Sequence, residues 1–192
     1  MGSDLNVKSY CSVEQNRIRL GREIIFEREG QAFTEFSKNV YSHFGFAYPK
    51  FYKMDNLSKL AFIGAELLLK KEAGSAHSSN VALVLGNSAS SLDTDFRFQS
   101  SISDTENYFP SPAVFVYTLP NICLGEISIR HGLKSETCFF VLEKFDQSFF
   151  FSYARALLDK NKAGAVICGW VDYLDEDYTA LFYLLENKSN IG

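Results

Sequence analysis

The stretch Val81-Ala82-Leu83-Val84-Leu85-Gly86 carries no polar side chain at any position. A strand with one solvated face alternates apolar and polar residues, whereas an unbroken run needs cover on both faces, as in a parallel strand between layers of helices. Ala165-Val166-Ile167-Cys168-Gly169-Trp170 is a second run of this kind. Before the first run, Leu57, Leu60, Ala61, Gly64, Leu67 and Leu68 fall on one face at helical spacing, which predicts a helix over Asn56 to Glu72. Asp55 and Asn56 offer capping oxygens at its start, and Gly74 is placed to end it. Buried strands alternating with amphipathic helices predict an α/β fold with a mixed, mostly parallel central sheet and helices on both faces.

The remaining segments fit that plan unevenly. Val7 to Cys11 reads as a short first strand, and Ile18, Leu20, Ile24 and Phe26 recur at mostly even spacing, as in a strand or ribbon. Tyr48-Pro49 marks a break, and residues 12–46 give no clear element order. Asn87 to Ser91 is a polar turn leading to a helix over Thr94 to Ile102, and Tyr108 to Pro112 is irregular. A short helix over Asn121 to Arg130 ends at Gly132, and Thr137 to Leu142 is β-prone. Asp146 can cap a helix from Gln147 to about Lys160. Tyr178 to Glu186 is apolar and aromatic and fits strand or helix. No internal repeat, linker or low-complexity segment divides the chain, so one domain over residues 1–192 is expected.

With 192 residues, 46% of them hydrophobic, the chain can bury a sizeable core. The net charge of −4 argues against binding a nucleic-acid backbone, which takes clustered Lys and Arg. Lys70-Lys71 reads as charge at a helix C-terminus. Cys11, Cys123, Cys138 and Cys168 show no metal-ligand spacing, so neither a zinc site nor another cofactor is implied. Met1-Gly2-Ser3-Asp4 opens no signal peptide, and no apolar stretch is long enough to span a membrane. A cytoplasmic protein with reduced thiols is the expectation. The 18 Phe and 10 Tyr predict either a thick core or a face hidden against a partner.

Three stretches, in order, resemble the β-ketoacyl synthases. Phe51-Tyr52-Lys53-Met54-Asp55-Asn56-Leu57-Ser58-Lys59-Leu60-Ala61 is similar to the lead into that family's first long helix, with Val81 to Gly86 as the strand that follows. Pro110-Ser111-Pro112, then Leu119-Pro120-Asn121, then Gly125 to Lys134 resemble a small-residue-Pro turn, a helix with Asn at its start, and a Gly-Leu-basic turn. Pro112, Asn121 and Gly132 carry this framework. Finally, Phe150, Tyr153, Ala154, Leu157 and Leu158 at helical spacing precede Ala163 to Trp170, as a helix and a glycine-containing strand do in the family. The likeness runs from about Phe51 to Asp172 and is weak over the first fifty residues. It implies a thiolase-like fold, with this chain matching the N-terminal half of the usual duplicated arrangement.

The resemblance also implies where a nucleophile would stand. Condensing enzymes use a cysteine thiolate at a helix N-terminus, where the dipole lowers its pKa and backbone N–H groups hold the oxyanion. The matching position, counted from Gly132, is Lys144, set among Leu142, Glu143, Phe145 and Asp146, which are bulky or charged. An ammonium there is at the wrong end of the dipole. The family's further histidines, or histidine and asparagine, come from its C-terminal half, and His43, His77 and His131 form no convincing pair with a cysteine. Cys138 lies inside a strand rather than after it and reads as inert, as do Cys11, Cys123 and Cys168. Ser88, Ser90 and Ser91 follow a strand but lack a Gly-x-Ser-x-Gly frame.

A non-catalytic synthase-like partner in fatty-acid or polyketide-type synthesis is therefore expected, without condensing activity of its own. The partner would be a full-length ketoacyl synthase, an acyl carrier protein, or a second copy of the chain. The resemblance places a dimer-pairing strand at Thr137, Cys138, Phe139, Phe140 and Val141. The alternative is an acyl-thioester transferase or hydrolase using a different site, which would need a nucleophile–base pair in a pocket.

Overall fold

The chain opens with a three-stranded meander: β1 (Leu5–Glu14), β2 (Arg17–Leu20) and β3 (Glu23–Glu27). Gln15 and Asn16 both have positive φ, the geometry of a tight hairpin turn whose twist matches its strands. Tyr178 fastens this turn, accepting from the Asn16 N–H at 2.8 Å and donating to Asn16 Oδ1 at 2.7 Å. Helix α1 (Phe33–His43) follows, then a 3₁₀ turn at Pro49–Lys53 and helix α2 (Asn56–Lys71). Strand β4 (Val81–Asn87) leads to α3 (Leu92–Ile102), the single-turn α4 (Pro112–Phe115) and α5 (Ile122–His131). Strand β5 (Thr137–Val141), α6 (Gln147–Asp159), β6 (Ala165–Leu174) and β7 (Asp177–Asn187) complete the order. The computed structural model describes residues 5–71, 80–103 and 109–188; Gly74, His77 and Tyr108, singled out above, lie outside them.

The strands form one seven-stranded sheet in the order β3-β2-β1-β7-β6-β4-β5. Pairing is parallel between β4 and β5 and between β4 and β6, and antiparallel at the other four contacts. The sheet is thus mixed, but the expected parallel majority is corrected. Strands β1 and β2, β2 and β3, and β6 and β7 are joined as hairpins, whose short turns permit only antiparallel neighbours. All seven residues of β4 are buried, as its unbroken apolar run requires.

Helices α1, α2 and α5 pack on one face of the sheet around Phe33, Phe36, Phe62, Leu83, Leu85, Ile167 and Phe182. Helix α6 covers the other face over Ala82, Val84, Val166, Cys168 and Trp170. Close approach is built in at two glycines. A Cβ on Gly64 would lie 2.1 Å from the Phe182 ring, and one on Gly169 would lie 1.9 Å from the Leu181 carbonyl oxygen. Most of the aromatic surplus is spent in these two cores. Phe96, Phe109 and Phe115, 58% exposed or more, stand on the surface at and beside α3 and α4.

Candidate functional site

Asp146 determines what the turn between β5 and α6 can do. Its Oδ1 accepts the backbone N–H of Ser148 at 2.9 Å and of Phe149 at 3.1 Å, and the Ser148 hydroxyl at 2.6 Å. The Ser148 hydroxyl is the main reason its carboxyl sits below the ordinary range, with the Phe149 N–H adding to it. Two of the free N–H groups at the start of α6 are therefore taken by a resident anion, as in any good N-cap. Those donors are not available to a developing oxyanion.

Lys144 is exposed and lines an open hollow of about 680 Å³ with Phe145, Gln147, Ser148, Phe151 and Arg155. The outward residues of α6, Gln147, Ser148, Ser152, Arg155 and Asp159, are exposed and polar, while Phe150, Ala154, Leu157 and Leu158 are buried against the sheet. An α6 sandwiched between two apolar layers would carry hydrophobic residues all round. This one presents an ordinary solvated face.

Cys138 is half-buried on β5, with its Sγ 3.1 Å from the Tyr153 hydroxyl. That hydroxyl donates to Glu136 at 2.8 Å. The Tyr153 phenol is raised, first by its contact with Cys138 and then by Glu136, so it stays protonated and offers the thiol no base. Cys11 and Cys168 are buried, and burial pushes both thiols up to about 12; Cys123 is pushed up in the same way.

Among the described residues strand β5 pairs with β4 alone, and no strand lies on its second edge. Thr137 and Val141 are exposed there, and Cys138, Phe139 and Phe140 are half-buried. The framework residues occupy helix boundaries. Pro112 stands in the first turn of α4 behind the capping Ser111. Asn121 is the N-cap of α5 but makes no side-chain cap bond, and Gly132 closes α5 in the left-handed conformation at φ 63°. His131 places Nε2 2.8 Å from Glu66 Oε2, a charge-contact distance outside hydrogen-bond geometry. His43 packs its ring on Phe26 and Phe44.

Ser88, in the turn after β4, forms a serine–carboxylate pair with a residue 84 positions along the chain. The Ser88 hydroxyl donates to Asp172, which also accepts the N–H groups of Ser88 and Ala89 at 3.2 Å each. Among the described residues no imidazole lines the hollow around them. A carboxylate holding two backbone N–H groups orders the loop after β4 and does not replace a histidine base.

Among the described residues no single helix is long and apolar enough to cross a membrane. No protein-family model matches the chain, and no curated protein does. Solved structures do match. The ishigamide ketosynthase/chain length factor aligns at a TM-score of 0.71 and 17% identity, covering 98% of this chain and 63% of that one. A ketosynthase in complex with its chain length factor from Xenorhabdus doucetiae aligns at 0.61 and 15% identity, over 95% of this chain and 79% of that chain. A β-ketoacyl synthase from Burkholderia phymatum aligns at 0.64 and 14% identity, over 98% and 60%. The chain thus spans about 63% of the length of the first of these, and the aligned span takes in its first fifty residues, where the sequence likeness is weak. The seven-stranded mixed sheet with helices on both faces is the thiolase-like fold of the β-ketoacyl synthases.

Proposed function

We propose that this chain is a non-catalytic ketosynthase-like partner in polyketide or fatty-acid-type acyl-chain synthesis. The observation that carries this reading is the occupied N-terminus of α6. Asp146 holds the donors that acyl chemistry needs, beside an exposed Lys144, the position that the resemblance matches to the synthase cysteine. The open edge of β5 supports an assembling role, since an unpaired strand edge is a template for a strand from another chain. Two of the structurally similar proteins carry a chain length factor in their names, which favours a ketosynthase-type partner over an unrelated one. A full-length ketosynthase bound at Thr137, Cys138, Phe139, Phe140 and Val141 is the preferred assembly, with a homodimer or a carrier-protein complex as the other outcomes.

The alternative, an acyl-thioester transferase or hydrolase, would place its chemistry in the hollow beside Lys144. There Asp146, the one carboxylate among the described lining residues, is already committed to capping α6. The test is affinity capture of the tagged chain from its native cells, with mass spectrometry, alongside an acyl-thioester turnover assay. A co-purifying ketosynthase or acyl carrier protein and no turnover are expected. Turnover abolished by Cys138→Ala would overturn the reading.

A further inference from the structure

Helix α5 carries a glycine that its own surroundings do not explain. Glycine inside a helix is destabilising relative to alanine, so its presence there needs a cause. At Gly64 of α2 the cause is the Phe182 ring, which occupies the place of a side chain. Gly125 of α5 is exposed, and its φ lies outside the left-handed region. A Cβ placed on it would meet nothing within 4 Å among the described residues.

That glycine lies on the outer flank of the molecule. Arg130 and His131 reach Glu66, so one side of α5 faces α2. Asn121, Gly125 and Ile129 recur at every fourth residue on the opposite side, all exposed, Ile129 at 67%. Helix α2 lies over β1, β7 and β6, and α5 packs beside the last strand, β5. The side of α5 turned away from α2 therefore runs along the edge of β5. The two edges of the sheet are built differently. Strand β3 bears Glu23 and Glu27 at its ends and pairs with β2 through an irregular register, two devices that discourage a further strand. Strand β5 has neither: Thr137-Cys138-Phe139-Phe140-Val141 is uncharged and pairs with β4 without a break.

We propose that this flank is a self-complementary surface for a second copy of the chain, with the two α5 helices crossing at Gly125 beside antiparallel β5 strands. The proposal takes the β5 edge from the function proposed above, extends it to strand plus helix, and has the surface pair with its own image when no synthase is present. Charge and symmetry favour that occupant. A charged surface repels its own image, whereas neither Thr137–Val141 nor the line of Asn121, Gly125 and Ile129 carries a charge. A two-fold axis near Phe139, in the middle of β5, pairs the strands antiparallel and sets one α5 opposite the other. The distance between crossing helices depends on the side chains at the contact. Glycine at that point lets the two backbones approach, with Ile129 of each copy packing beside the crossing.

The test is sedimentation equilibrium of the purified chain over a range of concentrations. A reversible dimer is expected. Gly125→Leu should weaken it about tenfold by overpacking the crossing, and Ile129→Lys by a similar factor through repulsion across the axis. Gly125→Ala should weaken the dimer less, while its higher helix propensity raises the thermal midpoint of the dilute monomer. Ile24→Lys, on the far edge of the sheet, should leave the dimer unchanged. Circular dichroism checks that each variant is folded. A chain monomeric at every concentration, a dimer that Gly125→Leu and Ile129→Lys leave intact, or one that Ile24→Lys breaks equally would each overturn the proposal. A monomer would leave the synthase-partner reading standing, and failure to capture a synthase would leave the dimer standing.

Discussion

Glu66 is buried on α2, yet two residues of α5 hold it charged. Arg130 grips it through Nε at 3.2 Å and Nη2 at 2.9 Å, and His131 stands alongside. Burial raises its carboxyl, but the His131 contact and the Arg130 fork outweigh that and bring it down to about 2. A depressed carboxylate contributes stability that is fully present above the unfolded-state value near 4.5 and is lost as pH falls toward 2. Acid unfolding between those limits should be blunted in Glu66→Gln, which should cost about 2 kcal/mol at neutral pH in urea unfolding. Equal acid sensitivity in both proteins would show that the charge belongs to another group. Lys144 makes a different case. If the Asp146 cap denies α6 to an anion, the thiol of Lys144→Cys should titrate at about 8.5, the value of a free cysteine. Thiolate absorbance near neutral pH would show instead that the helix end still supports a nucleophile.

At the level of elements, what the sequence revealed depended on how locally each element is determined. The unbroken run from Val81 to Gly86 and the Asp146 cap of α6 need only their own neighbours, and both were legible. Helix α1 was not, although Phe33, Phe36, Ser37 and Val40 are buried at helical spacing. Its Ala32 N-cap makes no side-chain bond, and Glu176, 143 residues away, accepts the Phe33 N–H instead. A remote cap leaves no local signal. The β6–β7 hairpin was hidden in the same way, because Asp175 and Glu176 take positive φ without the Asn-Gly or Asp-Gly pair that announces such a turn. Of the candidate site, Lys144 was picked out only through the resemblance, whereas the Ser88–Asp172 pair joins residues far apart in the chain. The open edge of β5 is the element with the most to test. A charge on a strand edge blocks pairing, so Val141→Lys, at a position 55% exposed, should leave the fold intact and abolish assembly through β5. Sedimentation of the mutant with its captured partner, or alone if the chain self-associates, measures this. An unchanged complex mass would move the interface elsewhere.

In the whole molecule, β7 joins two differently built halves. On one side it pairs with β1 of the antiparallel meander, and on the other with β6, which passes the sheet on to the parallel strands. Phe182 sits in the middle of β7, fully buried, with its ring over Gly64 of α2. One side chain therefore touches the principal helix from the strand that unites the sheet. Removing it should loosen more than its own strand: Phe182→Ala should cost about 3–5 kcal/mol, the usual range for a buried phenylalanine. In hydrogen exchange, protection should fall in β1, β6 and α2 together if the two halves unfold as one unit. Gly64→Ala alone should also destabilise, by about 1–3 kcal/mol, because its methyl group overlaps the ring. In the double mutant that methyl enters the space the ring has left, so the two losses should add to less than their sum. Simple additivity, or a fall in protection confined to α2, would mean that the meander and the parallel strands hold together without this contact.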